Sequence, residues 1–266
     1  VLAMGSYPNY DPNDFVLANY GDKQAQVQVD YYLGVGAYED KEDIPLWNRA
    51  IMSVYAPGST FKPCTAMAAL ESGVITPTNN QRLCGGPNSN TTYEIDGWKF
   101  YCLENHDDGH GYLDLNSAMA QSCNIYFHKI GVETGIDSIS EMATRFGLGV
   151  KSGIDLPGEA KGTMSSREYK RITRQSVFDK TWFPANTAMA AIGQFDSCFT
   201  ILQLCRYTAG IATNKLCTPY VVDRVVAADG SILYQGQTDS VDIGVSEESI
   251  NDVEILLIND GSKDGT

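Results

Sequence analysis

Short helical blocks, each stopped by a glycine or a polar turn and never alternating regularly with strands, constrain this chain more than any other feature. From Ser59 to Glu71 the apolar positions Phe61, Ala66, Ala69 and Leu70 recur at helical spacing, and Gly73 stands just beyond as a stop. Asp114 opens a second helical region, Leu115 to Ala120, which breaks near Ser122 and resumes towards Gly131. Ser138-x-x-Glu141 reads as a capping box for a helix ending at Gly147. Thr200 to Thr213 is a further helix, and Ser246 to Ile258 a last one, with Glu247 and Glu248 at its positive end and Ile250, Val253 and Leu257 on one face. The strand signals are fewer. Gln24 to Tyr32 alternates weakly, as an edge strand, within 45 otherwise loop-rich residues. Ile154 to Gly158 reads as a short strand into a turn, and Tyr220 to Ala227 with Ile232 to Gln235 forms a hairpin across Asp229-Gly230. Arg167 to Lys180 is basic and reads as a surface excursion. Without βαβ order the fold class is α+β, and without repeats or low-complexity linkers residues 1–266 form one domain.

Charge narrows the function classes. Lys and Arg number 19 against 33 Asp and Glu, a net charge of −14, which repels phosphate backbones and anionic lipid, so no nucleic-acid partner is expected. No apolar run approaches the ~20 residues of a membrane span. Val1-Leu2-Ala3-Met4 reads as the second half of a strand, and the chain stops in the turn-rich run from Asp260 to Thr266. Both ends read as cuts in a longer protein, whose anchor would lie outside this chain.

Ser59-Thr60-Phe61-Lys62 is the leading candidate for chemistry. Ser59 follows Tyr55-Ala56-Pro57-Gly58, a turn that exposes its side chain, and residues three apart share a helix face, so Lys62 approaches the Ser59 hydroxyl. A serine needs a base to become a nucleophile, and a neutral lysine amine serves. No other serine in the chain has a lysine three positions on. Ser122-Cys123-Asn124 marks the break between two helical runs. A hydroxyl there can relay a proton and the amide can hold a substrate carbonyl, although the same residue types also serve simply to break a helix. Ser249-Ile250-Asn251 repeats the pattern inside a helix and is set aside.

Of the seven cysteines none forms a Cys-x-x-Cys pair, which argues against a zinc ribbon or a thioredoxin-type site. Several sit in apolar helical stretches as small core residues. Cys84 and Cys102 bracket the polar stretch Gly85 to Tyr101, as a disulfide closing it would. His106-Asp107-Asp108-Gly109-His110 reads as a solvated loop, because the glycine breaks any helix and no further ligand pair is evident; no metal site is expected. With no well-placed histidine and no Gly-x-Ser-x-Gly, neither a Ser-His-Asp triad nor an α/β-hydrolase elbow is supported.

The run Tyr55-Ala56-Pro57-Gly58-Ser59-Thr60-Phe61-Lys62-Pro63, followed by Ser122-Cys123-Asn124, closely resembles the class B penicillin-binding proteins, the peptidoglycan D,D-transpeptidases. Further matches follow in order. Ala3 to Asn13 is similar to the family's lead-in, and Asn48-Arg49-Ala50 to its approach to the nucleophile. Phe146-Gly147-Leu148-Gly149 and Gly153 to Glu159 are similar to its middle segment, and Ala191-Ile192-Gly193-Gln194 leads to Gln203-Leu204 as in the family. The chain departs from the family at Phe195, where the family has Gly, and at Thr200-Ile201-Leu202-Gln203, where it has Thr-Pro-Leu-Gln. The family's third motif, Lys-Thr-Gly or Lys-Ser-Gly on a strand beside the nucleophile, is expected past Thr266; Lys151-Ser152-Gly153 has the letters but falls too early.

The resemblance implies the fold of penicillin-binding transpeptidases and serine β-lactamases: an antiparallel sheet flanked by helices, with a mostly helical subdomain. It implies that Ser59 attacks the carbonyl between the terminal D-Ala residues of a stem peptide. Lys62 would be the base, Ser122 would pass the proton to the departing D-Ala, and Asn124 would orient the donor peptide. A β-lactam would acylate the same serine, and no metal or organic cofactor is needed. The parent would sit on the outer face of the bacterial cytoplasmic membrane by a single anchor, partnered with a cell-wall glycosyltransferase. A D,D-carboxypeptidase, a β-lactamase-like hydrolase, a penicillin-sensing receptor domain and an inactive fragment share the same motifs.

Overall fold

The computed structural model describes residues 1–38, 44–86, 92–102, 109–237 and 239–258. Two helices, α1 (Pro12–Asn19) and α2 (Lys23–Leu33), pack together near the start. The weak alternation of residues 24–32 had pointed to a strand; the structure corrects this. The Asp22 carboxylate accepts the N–H groups of Gln24 and Ala25 at 2.8 and 3.0 Å, and Gly34 closes the helix at φ +64°. The buried residues Ala25, Val29 and Tyr32 then share one helical face, so a cap and an apolar stripe override the alternation.

The centre of the molecule is α3 (Lys62–Glu71), entered through a single 3₁₀ turn, Gly58–Phe61. Every residue from Lys62 to Ala69 is buried. Four short strands follow, β1 (Arg82–Cys84), β2 (Tyr93–Ile95), β3 (Trp98–Phe100) and β4 (Gly111–Leu113), with β1 antiparallel to β4 and β2 to β3. Then come α4 (Leu115–Ala120), α5 (Asn124–Thr134) and α6 (Ile136–Arg145). The break between α4 and α5 falls where the sequence placed it. The capping box at Ser138 does not form. Fully buried Ile136 draws the helix start two residues earlier, and the Ser140 hydroxyl donates to the Asp137 carbonyl instead.

The expected strand at Ile154 to Gly158 is a loop. The Asp155 carboxylate accepts the N–H groups of Val221 and Val222 at 2.8 Å each, so a side chain does the work of a ladder. Lys151-Ser152-Gly153 is also loop, its Ser152 and Gly153 N–H groups donating to the Glu159 carboxylate. The basic excursion holds two short helices, α7 (Arg167–Thr173) and α8 (Val177–Lys180), and its Lys170 is buried. Helices α9 (Pro184–Ala191) and α10 (Ile201–Thr213) complete the core. Thr200 and Gln203 cap α10 reciprocally.

Strand β5 (Lys215–Cys217), the hairpin β6 (Arg224–Val226) with β7 (Ile232–Gln235), strand β8 (Ser240–Asp242) and α11 (Glu247–Ile258) end the described chain. β8 pairs antiparallel with β5. The fold is α+β, with helices around α3 and the described strands in four antiparallel pairs. One buried cluster, built on α3, α5 and α6, joins most of these elements. Gly131 of α5 lies so near α9 that a Cβ there would come within 2.3 Å of the Ala191 Cβ. Among the described residues no helix is long and apolar enough to cross a membrane.

Candidate active site

Ser59 sits in the 3₁₀ turn that Gly58 begins at φ +54°, a conformation that favours glycine. A second glycine makes the turn possible from outside. Gly193, at φ +70°, accepts the Gly58 N–H through its carbonyl at 3.0 Å, and a Cβ on it would stand 2.3 Å from the Gly58 carbonyl oxygen. The Phe61 ring anchors the far end of the turn by stacking on Phe199, their centroids 6.0 Å apart. Ser59 is therefore carried on a turn whose backbone is locked on two sides.

Lys62 follows at the start of α3, 1% exposed. Its ammonium donates to three oxygens: the Ser122 carbonyl at 2.5 Å, the Ser122 hydroxyl at 2.8 Å and the Asn124 side-chain carbonyl at 2.8 Å. Ser122 in turn donates from its hydroxyl to Ser59 Oγ at 3.0 Å. The described contacts thus run Lys62–Ser122–Ser59 in a chain, rather than directly from Lys62 to Ser59. Burial lowers the Lys62 pKa to about 8, against an upward pull from the thiols of Cys102 and Cys123. Ser122 holds its place at φ +49°, a left-handed conformation rare for a residue with a side chain. Strain of this kind is held only where the surroundings over-determine it. The four residues singled out in the sequence, Ser59, Lys62, Ser122 and Asn124, come together in one network.

The disulfide expected between Cys84 and Cys102 is absent: both are free thiols, and two further residues join them. Sulfur atoms of Cys84, Cys102 and Cys123 and a ring nitrogen of His110 all lie within 4.8 Å of one another. His110 Nδ1 is 3.4 Å from Cys84 Sγ and 3.6 Å from Cys102 Sγ, and Cys102 Sγ is 3.8 Å from Cys123 Sγ. Hydrogen bonding with Cys123 and Cys84 holds the Cys102 pKa far below the usual thiol range. Three sulfurs and one imidazole at these separations are a donor set suited to tetrahedral zinc, whose Zn–S and Zn–N bonds of about 2.3 and 2.0 Å place ligand atoms about 3.5–3.8 Å apart. The sequence reading placed no metal ligands here. Local spacing hid the set, since the donors are 26, 8 and 21 residues apart along the chain. His106 lies outside the described residues.

Phe195, the departure noted in the sequence, stands at φ +70° two residues past Gly193. Its ring meets Trp182 edge-on at 5.6 Å and lies 5.6 Å from the Lys170 ammonium. It lines a cavity of about 680 Å³ with Trp98, Phe100, Phe178 and Phe183.

The penicillin binding protein transpeptidase domain family matches residues 1–266. The chain belongs to that family. The peptidoglycan D,D-transpeptidase MrdA of Salmonella typhimurium is 34% identical over 223 residues, covering 84% of this chain and 32% of MrdA. Among solved structures, Pseudomonas aeruginosa PBP2 in complex with WCK 5153 aligns at a TM-score of 0.75 with 31% identity, over 97% of this chain and 53% of PBP2. A penicillin G acyl-enzyme complex of penicillin-binding protein A from M. tuberculosis aligns at 0.73 with 29% identity, over 96% of this chain and 53% of that one. The chain spans about a third of the length of the first curated relatives it matches.

Proposed function

We propose that this chain carries the acylation chemistry of a serine D,D-transpeptidase that cross-links peptidoglycan stem peptides and is acylated by β-lactams at Ser59. The observation that carries the reading is the chain of hydrogen bonds from Lys62 through Ser122 to Ser59. An ammonium has three N–H donors, and all three are used here. A neutral amine has two N–H groups and a lone pair, so one contact must invert. When it does, Ser122 donates its proton to Lys62 Nζ and Ser59 donates its own to Ser122 Oγ. Ser59 Oγ then forms a bond to the carbonyl carbon between the two terminal D-Ala residues, with the Ser59 N–H as one donor to the oxyanion. Collapse breaks the C–N bond, and the stored proton returns along Lys62 and Ser122 to the departing D-Ala amine. An amine of a neighbouring stem peptide next takes the acyl group and frees Ser59. Asn124, with its carbonyl fixed on Lys62, offers its NH₂ group to the donor peptide.

No organic cofactor enters these steps. A zinc ion on Cys84, Cys102, His110 and Cys123 would supply a closed structural site with no open position for substrate. The solved relative from M. tuberculosis is a penicillin G acyl-enzyme, which supports acylation as the shared step. We place the parent on the outer face of the bacterial cytoplasmic membrane beside a cell-wall glycosyltransferase, as the family resemblance implies. The test is mass spectrometry after labelling of the full-length protein with a fluorescent penicillin. The label is expected on the Ser59 peptide and is lost in Ser59→Ala; label on another residue overturns the assignment. Slow deacylation with transfer to an amine separates this reading from a hydrolase, and turnover of any kind separates it from a receptor.

A further inference from the structure

Three consecutive residues join the Ser59 turn to the wall of the cavity that Phe195 lines. The Gly193 carbonyl accepts the Gly58 N–H at 3.0 Å, the Gln194 side-chain nitrogen lies 3.6 Å from where a Cβ on Gly58 would stand, and Phe195 comes next. Phe195 holds φ +70° where the family has glycine, a conformation strained for a bulky residue. What the strain secures is a ring in the cavity wall. Two further rings of the lining, Trp98 of β3 and Phe178 of α8, are 70% and 72% exposed, apolar surface left open for an occupant. The described lining includes none of Ser59, Lys62, Ser122 and Asn124.

The charges of the cavity run against those of the chain. A protein of net charge −14 lines it with three cations, Lys99, Lys170 and Arg174, and two acids, Asp96 and Asp179. Both acids are engaged: Asp96 accepts the Ala185 N–H at 3.2 Å and Asp179 the Ser176 hydroxyl at 2.6 Å. Arg174 is paired with Asp196. Lys170, 6% exposed, donates only to neutral oxygens, the Thr181 carbonyl and the Asn186 side-chain carbonyl, each at 2.6 Å. Its ammonium lies 5.8, 5.4 and 5.6 Å from the ring centroids of Trp182, Phe183 and Phe195. An ammonium has three N–H donors, so one is left for a further acceptor. Burial first, and then the Arg174 guanidinium, lower its pKa against the pull of Asp196 and Asp179. A buried cation among rings and neutral carbonyls is short of negative charge, and a carboxylate on an apolar body supplies both complements.

We propose that this cavity is a second peptide subsite, which takes the acceptor stem peptide by seating an apolar segment against Trp98, Phe178 and Phe195 and a free carboxylate on Lys170. This rests on the transpeptidase reading, in which Asn124 holds the donor stem and the acceptor needs a surface of its own. The cavity's volume of about 680 Å³ lies within the usual range of ligand sites, about 300–1,000 Å³. No bond forms or breaks at the subsite. A peptide held there keeps its amine near the Ser59 ester and so favours transfer over hydrolysis.

The experiment uses the purified full-length protein, first acylated with penicillin so that the Ser59 groove is occupied. The probe is a synthetic stem tripeptide ending in a diamino acid, with its carboxyl groups either free or converted to carboxamides. Calorimetry gives the affinity, and a diazirine on the same peptide marks the binding surface by mass spectrometry. The free acid is expected to bind about tenfold more tightly than the carboxamide. Its cross-links are expected within residues 96–100 or 178–195. Phe178→Ser, at an exposed position, and Phe195→Gly, which relieves the backbone, should each weaken the acid by about fivefold. Lys170→Gln keeps N–H donors for Thr181 and Asn186 without the charge, and should bind acid and carboxamide alike. If that variant does not fold, the comparison of acid with carboxamide on the unaltered protein carries the same test. With a donor peptide and no penicillin, Phe195→Gly is expected to shift product from cross-linked to hydrolysed donor. Equal binding of acid and carboxamide overturns the proposal, as do cross-links confined to other residues, or displacement of the tripeptide by a glycan disaccharide that carries no peptide. A protein that takes no penicillin at Ser59 sinks the transpeptidase reading instead, while affinity and cross-links on that unlabelled protein still judge the cavity.

Discussion

In the proposed reaction Lys62 is the residue on which the chemistry turns. An amine with a pKa of about 8 is neutral in roughly one molecule in ten at pH 7, against fewer than one in a thousand at the ordinary lysine value. Because the neutral form accepts the proton, the acylation rate is expected to climb as pH rises through about 8 and to level off above it; stopped-flow acylation across pH 6 to 10 measures this. Lys62→Arg keeps a cation but has no lone pair near these pH values, so labelling should fall by about 10²–10⁴-fold with the melting temperature little changed. Labelling at close to the original rate would remove Lys62 from the role of base. Ser59 and Lys62 were legible in the sequence because a helix fixes the relation of residues three apart. Ser122 was legible as a hydroxyl able to relay a proton, but its position between Lys62 and Ser59 was not, since no local rule sets the distance between residues 60 apart. Phe195 supplies a second test at this scale. Phe195→Ala and Phe195→Gly both lose the ring on Trp182, but only glycine relieves the φ of +70°. The glycine variant should therefore be the more stable of the two by about 1 kcal/mol in urea unfolding.

Among the elements, the 3₁₀ turn and the segment after α9 act as one unit. Gly193→Ala sets a methyl carbon 2.3 Å from the Gly58 carbonyl oxygen, a separation that real Cβ atoms do not show, so the turn bearing Ser59 must shift. The expected outcome is a loss of stability in the range of about 2–4 kcal/mol together with strongly slowed labelling, read by a thermal melt and by acylation kinetics. A variant that melts normally and labels normally would show that the two segments are not coupled. The caps and glycine stops made α3, α4, α5, α10 and α11 readable, since each depends on a few adjacent residues. Helix α2 was misread because its stripe of Ala25, Val29 and Tyr32 is narrow and its alternating glutamines mimic a strand. The loop at Asp155 was misread for a different reason: its partners are Val221 and Val222, more than sixty residues on, and only the tertiary fold supplies them.

Taken whole, the molecule buries a titratable group that the chemistry does not use. His128 of α5 is 2% exposed, with Nδ1 placed to donate to the Ala188 carbonyl at 2.7 Å, and burial lowers its pKa from 6.5 to about 4. The unfolded chain protonates this ring near its ordinary value while the folded chain resists. Its contribution is therefore complete above pH 6.5 and is lost as pH falls towards about 4, by at most about 3 kcal/mol. Urea unfolding at pH 7 and pH 4.5 should show that loss, and His128→Gln should flatten the difference. The same burial bears on how the protein comes into being. Ser59 and Lys62 leave the synthesis machinery 63 and 60 residues before Ser122. Until the two ends of that stretch meet, the lysine is solvated, returns to its ordinary basicity and carries a proton it will not give up. On the proposed mechanism Ser59 is consequently inert throughout biogenesis and becomes reactive only when the core closes, so covalent capture of penicillin would be a clock for the completion of folding as much as an assay of chemistry.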